Sequence, residues 1–82
     1  MARVVCASSE LRAFTGGLDA FDVQASDVRG LIAELQRRFP GLGEHVERRM
    51  AIAIDGEIHQ DALGAPLAPG SEVVLIPRIA GG

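Results

Sequence analysis

The chain has a single cysteine, Cys6, in 82 residues. One thiol excludes an internal disulfide and suits a reducing cytoplasm. Tryptophan and tyrosine are absent, so neither is available as a stacking platform for bases. Eight basic residues against eleven acidic ones leave a net charge of −3 and a pI near 5.2. Nucleic acid calls for a basic patch, and this balance argues against that partner. No apolar run approaches the roughly 18 residues that a membrane span needs. Met1-Ala2-Arg3 leads directly into a strand pattern, without signal-peptide architecture. Repeats, linkers and low-complexity segments are also missing.

What is present suits one small domain. Hydrophobic residues make up 48% of the chain, and a chain of this size buries only a little over about 60% of its unfolded surface. Residues 3–7 read as a strand, with Cys6 as a small core residue rather than a sulfur-handling thiol. Residues 8–19 read as a polar connection whose Gly16-Gly17 pair marks a turn. No P-loop spacing surrounds that pair. From Ala20 to Ala25 the pattern alternates, with Phe21, Val23 and Ala25 on one side.

Ser26 reads as the start of a helix, with Asp27 at the positive end of its dipole. Val28, Leu31, Ile32, Leu35 and Phe39 then form one apolar stripe of 3.6-residue period. Arg29, Glu34, Arg37 and Arg38 lie off that stripe and read as a solvated face, with Glu34 and Arg38 as an i,i+4 pair. Gly30 costs the helix about 1 kcal/mol relative to alanine and would permit close approach to a sheet. Pro40-Gly41 ends it. Residues 42–49 fit either a second short helix or an ordered loop.

Met50 to Ile54 alternates large and small side chains, with Met50, Ile52 and Ile54 expected to face the helix. Asp55-Gly56 signals a tight turn into a short return strand. Neither His45 nor His59 has a metal-ligand partner at suitable spacing. The carboxylate pairs Glu44/Glu47 and Asp55/Glu57 lie in no apolar cleft that would tune them for acid–base work. A turn-rich stretch precedes the last strand, Val73 to Ile76, and Pro77 is expected to end its pairing because it lacks an N–H.

The order β-β-α-β-β-β predicts an α+β fold of β-grasp (ubiquitin-like) type. It would have a mixed sheet of four to five strands and one main helix, with the first and last strands parallel at its centre. The domain is expected over residues 1–77, and residues 78–82 as a flexible C-terminal tail ending in Gly-Gly. One helix covers one sheet face, so either Val73 and Leu75 or Val74 and Ile76 should remain outside. That pair would form an apolar anchor for a partner at the root of the tail; alternation does not decide which pair, and Val74 with Ile76 is the one we take as partner-binding.

Glycine has no Cβ, so a Gly81-Gly82 end can enter a slot closed to side chains. Its carboxylate, with an ordinary pKa of about 3.3–3.7, resists nucleophiles until a leaving group is installed. Leu67-Ala68-Pro69-Gly70-Ser71-Glu72-Val73-Val74-Leu75-Ile76-Pro77, with Gly81-Gly82 at the end, resembles the C-terminal signature of the ubiquitin-like sulfur carriers (the MoaD/ThiS-like family). Leu11-Arg12 and Thr15-Gly16-Gly17 resemble an N-terminal loop pattern of many members and lean toward the cysteine-synthesis carriers. Arg78 stands where many relatives have a second proline.

The resemblance implies a carrier rather than an enzyme. An E1-like adenylating enzyme would use ATP to adenylate the Gly82 carboxylate, and sulfur would displace AMP to give a thiocarboxylate. A second, biosynthetic enzyme would then take the tail and the sulfur for cysteine, a cofactor or a sulfur-containing natural product. Gly82 is the reacting residue, Gly81 gives access, and Ala80, Ile79 and Arg78 thread or steer the tail. The carrier itself would hold no stable cofactor and work in the cytoplasm. Two other readings remain open: a ubiquitin-like modifier joined to lysines through Gly82, and a binding module whose tail is incidental.

Overall fold

The computed structural model describes residues 1–59 and 63–78. Five strands form one mixed sheet: β1 (Ala2–Cys6), β2 (Ala20–Val23), β3 (Met50–Ile54), β4 (Glu57–His59) and β5 (Glu72–Pro77). Their spatial order is β2-β1-β5-β3-β4. β1 and β5 run parallel at the centre, from Arg3 beside Glu72 to Cys6 beside Leu75. The other neighbours are antiparallel. Three helices accompany the sheet: α1 (Ser9–Phe14), α2 (Val28–Arg38) and α3 (Leu42–Arg49). This is the β-grasp arrangement that the apolar pattern implies, with α2 as the main helix. Among the described residues α3 is the second short helix that residues 42–49 allowed, and α1 is additional.

The core lies between α2, α3 and one face of the sheet. Val4, Val23, Val73 and Leu75 point into it from the strands, and Leu31, Leu35, Leu42 and Val46 from the helices, all 0–1% exposed. β5 therefore sends Val73 and Leu75 inward and leaves Val74 and Ile76 on the open side. Met50, Ile52 and Ile54 join the core cluster as alternation predicts.

The start of α2 corrects the expected cap. Asp27, not Ser26, occupies the N-cap, and its Oδ1 accepts from the Gly30 N–H at 2.7 Å. Ser26 instead offers its carbonyl to the Leu67 N–H at 2.8 Å, which ties the turn-rich stretch to the helix start. A carboxylate here accepts an orphan N–H and also complements the dipole. Gly30 serves this cap rather than the sheet: a Cβ there would lie 3.0 Å from the Asp27 carboxylate.

Glu34 also departs from expectation. It is 9% exposed, and its Oε1 accepts from the Gln24 N–H at 3.0 Å. Arg38 completes a clamp, donating to the Glu34 carboxylate at 3.2 Å and to the Asp22 carbonyl at 2.8 Å. Its guanidinium also stands 4.9 Å from the Phe21 ring and 5.4 Å from Phe39. Arg29, Arg37 and Arg38 are exposed as expected, but Glu34 with Arg38 forms a polar latch holding edge strand β2, whose backbone beyond Val23 needs an acceptor.

Residues 42–49 are helical, and residues 8–19 include α1 rather than a plain connection. The Ser8 hydroxyl caps α1 by accepting from the Leu11 N–H at 3.3 Å, and Leu11 is fully buried. Gly16 and Gly17 then turn the chain with φ of +69° and +99°.

Candidate functional site

Alternation along each strand and the sheet register together build an apolar stripe on the open face. Ala20, Val5, Val74, Ala53 and Ile58 are successive neighbours across all five strands. Ile76, paired with Ala51, extends it toward the end of β5. Val74 and Ile76 are half-buried and Ile58 is 63% exposed. A charged row, Asp22-Arg3-Glu72, borders the stripe. Small alanines beside larger aliphatics make this face shallow, a form suited to a partner rather than a small molecule.

Pro77 does not end the pairing. It lies opposite Met50 within β5, and the next N–H, that of Arg78, donates to the Arg49 carbonyl at 3.0 Å. In an antiparallel ladder successive N–H groups point to opposite sides. The donor that proline lacks therefore faces the β1 side, where pairing has already stopped at Cys6. Arg78 Nε donates to the Met50 carbonyl at 2.9 Å and Nη2 to the Glu47 carbonyl at 3.3 Å. A cation on the last carbonyls of α3 also complements that helix's dipole. Gly82, Gly81, Ala80 and Ile79 lie outside the described residues.

Beside Arg78 is an open groove of about 460 Å³ lined by Glu10, His45, Arg48, Arg49, Met50, Pro77 and Arg78. His45 Nε2 is shielded from solvent without a hydrogen bond, 3.6 Å from Glu10 Oε1. The imidazole leans on Phe14, with ring centroids 5.2 Å apart. Among the described residues, no group of three or more His, Cys, Asp or Glu is placed to hold a metal ion. No described helix is long and apolar enough to cross a membrane.

Cys6 is a core residue, 2% exposed. Burial pushes its thiol up, the nearby Arg12 guanidinium lowers it, and the Asp19 carboxylate raises it again. A thiol held protonated is a poor nucleophile. Asp55 is structural too: its carboxylate accepts from the Ser71 hydroxyl at 3.0 Å and from the Glu72 N–H at 2.9 Å. Those bonds hold the start of β5.

The sequence model of the ThiS family matches residues 8–82. The chain belongs to the ThiS family. That places it among the ubiquitin-like sulfur carriers and modifiers, whose carrier members are in general small and non-catalytic. No curated protein sequence matches this ThiS-family chain.

Solved structures share its fold. A chain of the Amycolatopsis orientalis BexX/CysO complex is similar at TM-score 0.84 and 21% identity, with all of both chains covered. Small archaeal modifier protein 1 of Methanosarcina acetivorans is similar at TM-score 0.78 and 20% identity, covering 99% of this chain and 95% of that one. A chain from the complex of subunits 1 and 2 of molybdopterin-converting factor of Helicobacter pylori is similar at TM-score 0.69 and 28% identity. It covers 99% of this chain and 97% of that one.

The structure thus brings Val74, Ile76 and Arg78 to one end of β5. Sequence reasoning did not find the groove beside Arg78, because its walls come from α1, α3 and β5, far apart along the chain. The Arg48-Arg49 pair at the end of a short amphipathic stretch was the available signal.

Proposed function

We propose that this ThiS-family protein is a sulfur carrier whose Gly82 carboxylate is adenylated by an E1-like enzyme and converted to a thiocarboxylate. The enzyme consumes ATP; the carrier holds no cofactor and turns nothing over. The loaded tail then passes to a biosynthetic enzyme that takes its sulfur, in the cytoplasm. One observation carries this reading: the half-buried apolar stripe of the open face runs along β5 through Val74 and Ile76. It ends at Pro77-Arg78, and the sequence from there is Ile79-Ala80-Gly81-Gly82. A partner that docks on the stripe therefore holds the segment that its active site needs. Gly81 and Gly82 admit the backbone to a narrow channel, while Ala80, Ile79 and Arg78 set its path. In this account residues 1–77 form the recognised body and residues 79–82 the substrate arm. Arg78 is tied to the body through the Arg49, Met50 and Glu47 carbonyls instead of opening the flexible tail.

The cysteine-synthesis branch is favoured by the Leu11-Arg12 and Thr15-Gly16-Gly17 pattern. A second reading, a protein modifier joined through Gly82, is favoured by the likeness to small archaeal modifier protein 1. The sequence contains no lysine, so such a modifier could be attached but not extended into chains through its own side chains. Incubation with ATP, an E1-like adenylating enzyme and a sulfide donor separates the two. Intact mass showing one oxygen exchanged for sulfur supports the carrier, and a ladder of lysine-linked conjugates in lysate supports the modifier. A chain that remains unchanged, with no ladder, contradicts both.

The docking face makes its own prediction. Ile76→Asp is expected to weaken binding to the adenylating enzyme by about tenfold to a hundredfold, the range of a central apolar anchor. Val74→Thr, nearly isosteric, should bind within a few-fold of wild type. Calorimetric titration of both variants checks this.

A further inference from the structure

Any enzyme acting on Gly82 must come close to the body of the domain, because four residues span at most about 14 Å beyond Arg78. The groove beside Arg78 therefore falls under the footprint of whatever loads the tail. Three of the chain's eight cationic side chains, all arginines, border it, on a protein whose net charge is −3.

The three arginines have different freedom. Arg78 is drawn back onto the Met50 and Glu47 carbonyls and forms a fixed edge. Arg48 meets Glu44 at 3.4 Å, with side chains 73% and 59% exposed. An exposed i,i+4 pair is worth a few tenths of a kcal/mol and exchanges readily for a better partner. Arg49 is exposed, and its guanidinium makes no ion pair or hydrogen bond among the described residues. Met50 and Pro77 give the groove an apolar floor.

We propose that this groove receives an Asp- or Glu-bearing segment of the adenylating enzyme, contacted by Arg48 and Arg49 beside the fixed edge of Arg78. The inference rests on the carrier reading and specifies the partner surface it requires. Guanidinium groups recognise carboxylates through paired N–H donors. Carboxylates spaced along an extended segment can meet the two arginines separately while their stems cover Met50 and Pro77. A dense dianion such as phosphate fits less well, because Glu10 stands on the opposite wall. Rim charges of this kind steer encounter and register more than they add affinity, and salt screens them.

The test is loading of the full chain by the adenylating enzyme at low and high salt, as a function of carrier concentration. The double variant Arg48→Glu/Arg49→Glu is expected to raise KM for the carrier by about tenfold or more. It should leave kcat near wild type and flatten the salt dependence. The chain should still fold but melt several degrees lower, because two carboxylates then stand at the negative end of α3 beside Glu44. Arg49→Gln should fall between. Arg29→Glu/Arg37→Glu makes the same charge change on exposed positions of α2 and should leave KM within a few-fold. A double variant with wild-type KM and salt slope overturns the proposal while the carrier reading stands, and so does a control that loses as much. A wild-type chain that is not loaded at all overturns the carrier reading and this inference together.

Discussion

Deleting Gly81 and Gly82 is expected to abolish thiocarboxylate formation while the domain stays folded. The truncation draws the carboxylate back by about 7 Å and leaves Ala80, with its Cβ, at the end. A misplacement of about 1 Å already costs on the order of a hundredfold in a positioned reaction, so loading should fall below detection. The last ladder bond is that of the Arg78 N–H, and the buried side chains that hold the fold, Val73 and Leu75 among them, precede it. The melting temperature should therefore stay within a degree or two of wild type. Gly82→Val separates reach from bulk, because the carboxylate keeps its place while a branched side chain obstructs the channel. It too should load poorly. Intact mass after incubation with ATP, enzyme and sulfide, beside a thermal melt of each variant, reads both effects.

Gly43→Val is expected to cost about 3 kcal/mol of stability. Gly43 is buried where α3 crosses α2, and a Cβ built on it would sit 2.5 Å from the Ile32 carbonyl oxygen and 2.7 Å from Gln36 Cβ. Backbone cannot yield as a flexible side chain can, so the helices must move apart. That would loosen the packing of Leu35, Leu42 and Val46, all 0–1% exposed. Overpacking of this kind costs about 1–3 kcal/mol and sometimes more. Alanine at the same site recovers about 1 kcal/mol of helix propensity, so Gly43→Ala should still destabilise, by about 1–2 kcal/mol. In a domain of this size each kcal/mol moves the melting point by about 4–8 °C. Gly64, where a Cβ would meet nothing within 4 Å, supplies the control: Gly64→Ala should melt within about 3 °C of wild type. A Gly43→Val variant as stable as wild type would refute this account of the helix crossing.

Those two glycine sites show what the sequence reveals and what it hides. Gly81-Gly82 stand out because nothing but backbone needs explaining at a chain end. Gly43 lies in a stretch that fits either a short helix or an ordered loop, and one sequence does not show that a helix there crosses another at this glycine. The strand Met50–Ile54 was legible to the residue because large and small side chains alternate without interruption. The α2 stripe was legible for the same reason, apart from Phe39, which caps the helix and meets Phe21 edge-on at 5.2 Å.

Charged and imino residues were read less well, because their roles depend on neighbours distant in sequence. Glu34 lies off the apolar stripe, yet the unpaired Gln24 N–H draws it inward. Pro77 looked like a stop, yet its missing donor points to a side where no strand remains. Which face of β5 is open could be decided only when α2 and α3 were placed over Val73 and Leu75. The six-residue α1 carries too little periodicity to declare itself, and only the Ser8 cap and buried Leu11 mark it afterwards.

The most direct measurement is the position of the sulfur in the loaded chain, by fragmentation of the intact protein. The account predicts one oxygen exchanged for sulfur in fragments that contain Gly82, with Cys6 unmodified, as expected for a buried thiol whose pKa is raised. Sulfur added at Cys6 with an unchanged C-terminal carboxylate would contradict it.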